Sequence, residues 1–586
     1  MARKSNYERF PAVRISDSAE ACALGWDAIG QRLRAAIARL GQKRIVVAVE
    51  CYPGVIEQDV LPSLREQLQP TLIVRAEDGM LPPEQIDALA QRDVTDDPVF
   101  GHLTQLQLAD LFDADRSSAN AIKMRQASGG GPIIVYGTGA AFGEYDILVY
   151  ADIARWEAQM RFRRNEISNL GVENRDLKWS LQYKRAFFVD WRVCDRHKKL
   201  LLERIDFVLD TNSRVEPKLL AGDTFRDALR QTARRPFRVV PFFDPAPWGG
   251  QWMKEVCDLD RAATNYGWCF DCVPEENSLL LGFGDVRVEV PSIDLVFYQP
   301  RELLGDAVHA RFGTEFPIRF DFLDTVGGGN LSLQVHPLTE YIQDKFGMHY
   351  TQDESYYLLD AGDDAYVYLG LRDGIRPSEM AIDLELAQKS ANDPFPAEKY
   401  VNKWPAKRHD HFLIPAGTVH CSGANSMVLE ISATPYIFTF KMWDWGRLGL
   451  DGIPRPIHLE HALANVQWDR TTDWTRHNLV NRVEPIAEGD GWREERTGLH
   501  EREFIETRRH WFDKRVPHNS TGGVNVLNLV EGDEAIVESP TGAFPPLIVH
   551  YAETFIVPAA AGDYTVTPHG AGATQTCATM KAYVRT

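Results

Sequence analysis

Short runs of consecutive hydrophobic residues stand out in the first 235 residues of the chain. They lie at residues 44–50 (RIVVAVE), 71–75 (TLIVR) and 132–136 (PIIVY), each of strand length. Strands that are buried on both faces have this pattern, which is typical of a mostly parallel sheet with helices on its faces. The pattern therefore predicts a layered α/β domain.

Amphipathic stretches between and after these runs predict the helices of the same domain. Residues 58–67 separate the first two strands and complete a βα unit. Residues 146–165 and 184–205 predict two long helices with basic faces, the first of which carries Arg161, Arg163 and Arg164.

From residue 236 onward the pattern changes to short strands separated by Gly, Pro and Asp turns, which predicts an all-β barrel or sandwich. In residues 331–337 (LSLQVHP), Gln334 and His336 are two positions apart and therefore project from one face of a strand. Glu354 opens another strand-like run, and a Pro/Gly turn leads directly to His420. Two polar side chains that face the interior of a barrel need a function.

These residues, taken together, predict a metal site. Imidazole and carboxylate groups bind zinc, and a site that thiolates do not close keeps a position for water or substrate. The candidate ligands are Gln334, His336, Glu354 and His420. Each has an ordinary structural interpretation when taken singly, as a hydrogen-bonded core histidine, a rim amide or one partner of an ion pair.

Composition and charge narrow the class of protein. The chain has 586 residues, 44% hydrophobic and 25% charged, which is an ordinary globular mixture long enough for several domains. Its 64 basic and 83 acidic residues give a net charge of −19, which disfavours a nucleic-acid partner. The eight cysteines are scattered, and neither a signal peptide nor a membrane-spanning run is visible, so we expect a cytoplasmic protein.

The turn after the first strand is where a phosphate-binding loop lies in a nucleotide kinase, and the domain resembles the P-loop nucleoside kinases in its layout. The turn, residues 50–57 (ECYPGVIE), has one glycine, no lysine, and the acids Glu50 and Glu57 where an anion would bind. We therefore expect a degenerate domain that serves as a scaffold or as a regulatory sugar or nucleotide pocket.

The order of the motifs in the second part of the chain resembles that of the class I phosphomannose isomerases, a cupin family of zinc enzymes. The motifs are LSLQVHP, the acid before YYLL, IPAGTVH, and residues 443–447 (WDWGR), with PAPWGGQWM and DGIPRPIH on either side. The resemblance implies that Gln334, His336, Glu354 and His420 hold zinc and that Arg447 lies at the sugar. It covers roughly residue 236 to the end, and its last part implies a second, metal-free cupin barrel.

One departure from the family concerns the residue two positions before the metal-binding acid. The family commonly has a lysine in this context, whereas this chain has Gln352. Lys441 stands where the family usually has arginine, so positive charge is kept there. Glu430 and a metal-bound hydroxide are the candidates for the general base, with Lys441 and Ser332 as further contacts for phosphate or hydroxyl groups.

A titrating group has three further candidates among the histidines. They are His349, His409 and His411.

We therefore expect a multidomain α+β protein with an α/β domain at 1–235, a metal-binding cupin isomerase domain at 236–485 and a second cupin domain at 486–586. The expected activity is the aldose–ketose isomerisation of mannose 6-phosphate to fructose 6-phosphate through an enediol, with Arg447 stabilising charge. Two alternatives stay open: a sugar-binding or regulatory protein without turnover, and an isomerase of another sugar. The oligomeric state does not follow from the sequence.

Overall fold

The computed structural model describes residues 5–16, 21–389, 393–433, 437–498 and 503–586. The polar start of the chain, residues 1–4, lies outside the described residues. Within the described residues the chain divides into two compact units. The α/β unit consists of Ala12–Thr232 and Glu275–Gln299, and the β unit consists of Met1–Pro11, Ala233–Pro274 and Pro300–Thr586.

The strands, in chain order, are β1 Ala12–Arg14, β2 Cys22–Leu24, β3 Val46–Cys51, β4 Leu72–Arg75, β5 Ile133–Gly137, β6 Ile147–Asp152, β7 Phe207–Asp210, β8 Lys218–Ala221, β9 Phe242–Asp244, β10 Trp268–Cys272, β11 Ser278–Phe283, β12 Val286–Pro291, β13 Ile318–Asp324, β14 Leu333–Val335, β15 Glu354–Ala361, β16 Tyr366–Leu371, β17 Val401–Pro405, β18 His411–Ile414, β19 His420–Ser422, β20 Ser426–Ala433, β21 Phe440–Trp443, β22 Glu484–Gly489, β23 Trp492–Arg496, β24 Ile505–Phe512, β25 Val516–Asn519, β26 Asn525–Glu531, β27 Glu534–Glu538, β28 Leu547–His550, β29 Thr554–Val557, β30 Asp563–Pro568 and β31 Cys577–Val584.

The α-helices are α1 Gly25–Leu40, α2 Glu57–Leu68, α3 Pro83–Val94, α4 Ala114–Gln126, α5 Arg155–Arg163, α6 Trp179–Arg185, α7 Trp191–Leu201, α8 Gly222–Thr232, α9 Trp252–Val256, α10 Ile293–Tyr298, α11 Pro300–Leu304, α12 Asp306–Phe312, α13 Thr339–Phe346, α14 Pro377–Lys389, α15 Ala397–Tyr400, α16 Leu459–Asn465 and α17 Thr472–Asn478. A π-helical turn, Ala186–Asp190, joins α6 to α7. None of the described helices is long and apolar enough to cross a membrane.

The α/β unit is built on a seven-stranded sheet in the order β2-β8-β7-β6-β3-β5-β4. The five strands from β7 to β4 are parallel, and β8 and β2 continue the sheet in antiparallel fashion. The predicted strands at 44–50, 71–75 and 132–136 correspond to β3, β4 and β5, and the predicted helix at 58–67 corresponds to α2. Every residue of β3, β5 and β6 is buried, as parallel strands covered on both faces must be.

The helix predicted over 146–165 is wrong in its first half. Residues Ile147–Asp152 form strand β6 beside β3, and the helix begins only at Arg155. The run ILVYA is hydrophobic on all sides, which suits a central parallel strand better than a helix with a basic face. The helix predicted over 184–205 is confirmed from residue 184 to Leu201, in the C-terminal part of α6, the π-helical turn and α7.

Glu50, at the end of β3, has a structural role in the α/β unit. Its carboxylate accepts the backbone N–H groups of Gly139, at 2.7 Å, and Ala141, at 2.8 Å. The side chain therefore fixes the turn after β5 and is not available to a ligand in the turn after β3. Arg161 is likewise buried and donates to the carbonyl oxygens of Gly54 and Thr211 at 2.8 and 2.7 Å. These hydrogen bonds fix the conformation of the loop after β3.

A buried lysine ties residues 275–299 to the sheet of the α/β unit. Lys198 of α7 is almost fully buried and donates to Asp152, at the end of β6, at 2.6 Å. It also pairs with Asp294 of α10, whose pKa burial raises well above its usual value. One ammonium group therefore compensates two carboxylates that have left water.

The β unit contains two pairs of antiparallel sheets. The first pair has the orders β18-β15-β20-β13-β10-β9 and β17-β16-β19-β14-β21, and the second has the orders β22-β23-β24-β31-β26-β29 and β25-β30-β27-β28. In the second pair one apolar core draws residues from both sheets, including Phe512, Leu529, Val537 and Val566. This core has the form of a two-layer β-sandwich.

Replacing Lys198 by Met should destabilise the α/β unit by roughly 3–5 kcal/mol, because the buried carboxylates of Asp152 and Asp294 would lose the ammonium group that they share. Lys199→Met is a matched control, since the neighbouring Lys199 is exposed. Calorimetric unfolding of both variants would measure the difference. Equal transition temperatures for the two variants would contradict this account of Lys198.

Candidate metal centre

Four residues proposed as metal ligands come together between the first pair of sheets in the β unit. Gln334 lies on β14, His336 follows the end of that strand, and His420 opens β19. Gln334 pairs with His420 in the register of the two strands. Glu354 opens β15 in the facing sheet. All four side chains are buried, so a polar cluster occupies the space between the sheets.

The carboxylate of Glu354 lies between the two imidazoles. Its Oε2 is 3.1 Å from Nε2 of His336, and its Oε1 is 2.9 Å from Nε2 of His420. The three groups can offer one ligand atom each within 4.8 Å of one another. The amide nitrogen Nε2 of Gln334 is 3.2 Å from Nε2 of His420. Gln334 therefore borders the triad through its nitrogen, and a half-turn of the amide, which exchanges oxygen and nitrogen, would direct its oxygen there.

The donor atoms of the triad fit a cation. Nε2 of His336 and Oε1 of Glu354 are buried and make no well-formed hydrogen bond within the described residues. The other ring nitrogens are held from behind, because Nδ1 of His336 lies 3.2 Å from the carbonyl oxygen of Phe438 and Nδ1 of His420 lies 2.8 Å from that of Thr418. A proton on each Nδ1 leaves the lone pair of each Nε2 directed at the carboxylate, which is the arrangement of metal-binding histidines. Two imidazoles and a carboxylate suit a divalent ion such as zinc.

The pKa values follow from this geometry. Burial alone would raise the pKa of Glu354, but the adjacent His336 and His420 outweigh it and hold the pKa well below its usual value. Burial alone would lower the pKa of His336, and the Glu354 carboxylate raises it instead. The site therefore favours an ionised carboxylate, the form that binds a cation.

A second buried carboxylate, Glu430 of β20, lies next to the triad. Its Oε1 accepts hydrogen bonds from Arg319, from Ser432 at 3.0 Å and from Gln352 at 3.3 Å. Burial and the neighbouring Glu354 raise the pKa of Glu430 to about 7.

Gln352, two positions before Glu354, bridges the two carboxylates. Its amide nitrogen donates to Glu354 at 3.0 Å and to Glu430 at 3.3 Å. Its amide oxygen is buried without a hydrogen-bond partner within the described residues. Gln352 thus supplies donors to two acids without adding a charge.

Ser332 and Lys441 lie beside Gln334. The hydroxyl of Ser332 donates to the amide oxygen of Gln334 at 2.9 Å. Lys441 of β21 is opposite Gln334 in the strand register, so the two side chains share a face. Burial and, secondly, Arg455 lower the pKa of Lys441 to about 8.

Arg447 is held by groups other than the triad. Its guanidinium donates to Asp444 at 2.6 and 3.0 Å and to the carbonyl oxygen of Asn330. Asp444 also binds Arg455, through two contacts of 2.6 Å. Among the described hydrogen bonds and ion pairs, none joins Arg447 to His336, Glu354 or His420.

The three further histidines lie apart from the triad. His349 is exposed, and His409 contacts Tyr357 and Glu531 at 2.8 and 3.1 Å. His411 is fully buried, and burial together with Arg509 lowers its pKa to about 3. It is therefore neutral at physiological pH.

Two residues of the site were not identified from the sequence. Arg319 and Asp321 lie two positions apart on β13, and the Nε of Arg319 is 2.8 Å from the carboxylate of Asp321. The signal was present as charged residues at alternate positions of an otherwise hydrophobic strand, IRFDFLD. The same alternation identified Gln334 and His336.

Comparison with known proteins finds relatives that are named mannose-6-phosphate isomerases. The chain is 27% identical over 218 residues to "Mannose-6-phosphate isomerase" of Streptococcus mutans serotype c, an alignment that covers 37% of this chain and 63% of the relative. It is 24% identical over 231 residues to "Probable mannose-6-phosphate isomerase GmuF" of Bacillus subtilis, covering 39% of this chain and 67% of that relative. The matched part of the chain thus spans about two thirds of these proteins.

Two other comparisons concern the fold and the α/β unit. The crystal structure of the mannose 6-phosphate isomerase from Bacillus subtilis superposes with a TM-score of 0.48 at 17% identity, over 60% of this chain and 100% of that one. A TM-score below 0.5 does not establish a common fold. Residues 25–234 match a family described as "Domain of unknown function (DUF8485)".

Replacing His420 by Ala should lower zinc affinity at least a hundredfold, because a central ligand is lost where even outer-shell changes cost 10–100-fold. His411→Phe is the control, as His411 is equally buried but lies outside the triad. Metal content after equilibration with a zinc buffer, measured by mass spectrometry, distinguishes the two. Full zinc occupancy in the His420 variant would overturn the ligand assignment.

Proposed function

We propose that the protein is a metal-dependent aldose–ketose isomerase, most simply one that interconverts mannose 6-phosphate and fructose 6-phosphate. The observation that carries the proposal is the buried cluster of His336, Glu354 and His420 in a chain homologous to mannose-6-phosphate isomerases. Gln334 completes the proposed ligand set, and zinc is the proposed ion. The substrate is a sugar phosphate.

The reaction moves a proton from C2 to C1 of the open-chain sugar through an enediol, so negative charge develops on the two oxygens. A divalent cation, when bound, supplies Lewis-acid stabilisation of that charge. Burial of the cluster excludes water and strengthens every electrostatic contact within it. The protein holds the ionised carboxylate of Glu354 and the Nε2 atoms of His336 and His420 in position to bind the ion.

The positions of the other residues near the candidate metal site suggest what each one does in the reaction. Glu430 and Lys441 are the candidates for proton transfer, since both lie beside the ligand set and have pKa values moved toward neutrality. Ser332 orients Gln334 through their hydrogen bond. Arg447 is proposed to orient the substrate at the edge of the site.

A specific observation favours a second candidate, an isomerase of an unphosphorylated sugar. Asp444 engages both Arg447 and Arg455, so neither guanidinium is fully available to a phosphate dianion. A hydroxyl group in place of the phosphate needs no such cation.

We also propose how the domains are arranged along the chain. The two pairs of sheets correspond to cupin domains at 236–485 and 486–586, the second without metal, although residues 275–299 of the first range belong to the α/β unit. Residues 1–235 correspond to a degenerate domain with the layout of a P-loop kinase. The strand order supports this layout, because β3 is central, with β5 and β4 on one side and β6 and β7 on the other.

Purified protein should convert mannose 6-phosphate to fructose 6-phosphate, lose the activity on chelation and regain it with zinc. The reason is that stabilisation of the enediol charge depends on the bound cation. A coupled assay with metal quantified in the same sample measures this, with free mannose as the parallel substrate. Turnover of mannose alone would select the second candidate, and metal binding without either turnover would overturn the isomerase proposal.

Replacing Gln352 by Leu should weaken zinc binding about tenfold, because Glu354 and Glu430 would each lose a buried donor, at a cost of about 1–3 kcal/mol. Gln343→Leu, on the exposed face of α13, is the control. Competition with a zinc-sensitive chelating dye measures both affinities. An unchanged affinity in the Gln352 variant would show that its amide does not support the ligand.

A further inference from the structure

Two buried histidines contact each other inside the second pair of sheets. His510 lies on β24 and His518 lies on β25, which belong to different sheets of this pair. Their ring centroids are 4.4 Å apart, with an angle of 68° between the ring planes. The two residues are only 2% and 7% exposed, respectively. The pair therefore joins the two sheets from within the sandwich.

Both rings occupy positions that face the apolar core. His510 lies in one cross-strand row with Thr579 of β31 and Leu529 of β26, and Leu529 belongs to the core. Val516, two positions before His518 on β25, belongs to the same core. Residues directly opposite on antiparallel strands, and alternate residues of one strand, share a face of the sheet. The two imidazoles thus stand among positions that carry apolar side chains.

Three of the four ring nitrogens of the pair lack a hydrogen-bond partner within the described residues. They are Nδ1 of His510 and both nitrogens of His518. The fourth, Nε2 of His510, lies 3.5 Å from Oε1 of Glu494 on β23. A neutral imidazole has one N–H donor and one lone pair, and leaving them unpaired in a core costs free energy. Hydrogen bonding therefore does not explain why histidine stands at these positions.

Positive charge lies beside the pair. Lys581 follows Thr579 by two positions on β31 and therefore lies on the same face of the sheet. Burial lowers the pKa of Lys581 to about 8, so it carries its charge at pH 7 and below. Glu494 is already engaged by Arg508 at 3.2 Å. The titratable and charged groups that face the pair from the neighbouring strands are Glu494, Arg508, Lys581 and Tyr564, with Glu506 and Tyr583 further along β24 and β31.

These surroundings keep both imidazoles neutral at pH 7. Burial lowers the pKa of His510 from 6.5 to about 4, although the Glu494 carboxylate opposes the change, and Lys581 adds to it. Burial also holds the pKa of His518 well below its usual value, with His510 and Lys581 as further causes. A proton on either ring would bring positive charge next to Lys581 in an apolar core, which is unfavourable.

We propose that the His510–His518 pair is an acid-sensitive switch, in which protonation separates β24 from β25 and opens the second pair of sheets. Histidine is suited to this role because it is the side chain whose charge changes under mildly acidic conditions. Neither residue belongs to the candidate metal centre, so the switch does not depend on the isomerase proposal.

The stability of this sandwich is therefore lost on the acid side. A histidine of the unfolded chain takes up its proton near pH 6.5, whereas His510 in the fold does so only near pH 4. Stability is complete above pH 6.5 with respect to this residue and falls as the pH drops towards 4. For each histidine that the fold keeps neutral, the ratio of folded to unfolded molecules falls about tenfold per pH unit in this window. Lys581 is charged throughout the window and adds no slope of its own.

The test is hydrogen exchange of the full-length chain, measured by mass spectrometry at pH 7 and pH 5 and corrected for the intrinsic pH dependence of exchange. In the wild-type protein the opening equilibrium of the backbone amides in β24 and β25 should rise at least about a hundredfold, because two histidines contribute. His518→Phe removes one protonation site and keeps a ring against Tyr564, whose centroid lies 4.9 Å from that of His518. The rise in this variant should be at least about tenfold smaller.

Two further variants complete the experiment. His477→Gln is the control, since His477 is exposed on α17, and it should show the wild-type rise. Lys581→Met removes the charge beside the pair and should also reduce the rise. The other buried histidines of the chain are the same in all these proteins, so their own pH dependence cancels in the comparison. A wild-type rise in either His518→Phe or Lys581→Met, or equal opening of the wild-type protein at the two pH values, would overturn the proposal.

Discussion

The ionised carboxylate of Glu354, buried between two sheets, is the constraint on which the rest of the β unit depends. An isolated charge at this depth is strongly unfavourable, so the surrounding groups must compensate it. His336 and His420 approach it from the facing sheet at 3.1 and 2.9 Å, and Gln352 approaches from its own strand region at 3.0 Å. The two sheets are therefore held in register by polar contacts at a place where most sandwiches have apolar packing.

In the α/β unit, buried carboxylates are compensated by other groups. Lys198 lies between Asp152 and Asp294, and a lysine that is present permanently leaves no room for a ligand. The carboxylate of Glu50 accepts two backbone N–H groups, and Nε2 of His197 lies 3.7 Å from it. The oxygens of Glu50 are satisfied by the protein itself, whereas Nε2 of His336 and Oε1 of Glu354 in the β unit make no well-formed hydrogen bond within the described residues.

Much of the architecture followed from the sequence, because buried parallel strands such as β3 and β5 are continuous hydrophobic runs. The pattern predicts a helix where β6 lies because this strand runs into a helix without a turn signal, and hydrophobicity alone does not separate a buried strand from a buried helix. The grouping of Gln334, His336, Glu354 and His420 was expected from the resemblance of the motifs. The compensation of Glu430 by Arg319 was not, because pairing between neighbouring strands depends on register, which the pattern of a single strand does not contain.

The buried charges around the candidate metal centre bear on Gln352, which stands where phosphomannose isomerases commonly have lysine. Asp321, Glu354 and Glu430 are three buried acids, and Arg319 is the guanidinium among them. Burial raises the pKa of Asp321 well above its usual value and that of Glu430 to about 7, whereas the adjacent imidazoles keep the pKa of Glu354 low. A lysine at position 352 would add a positive charge to this balance, whereas the amide of Gln352 supplies hydrogen-bond donors to Glu354 and Glu430 without one. An amide at position 352, where phosphomannose isomerases commonly have lysine, is therefore compatible with metal binding by the triad.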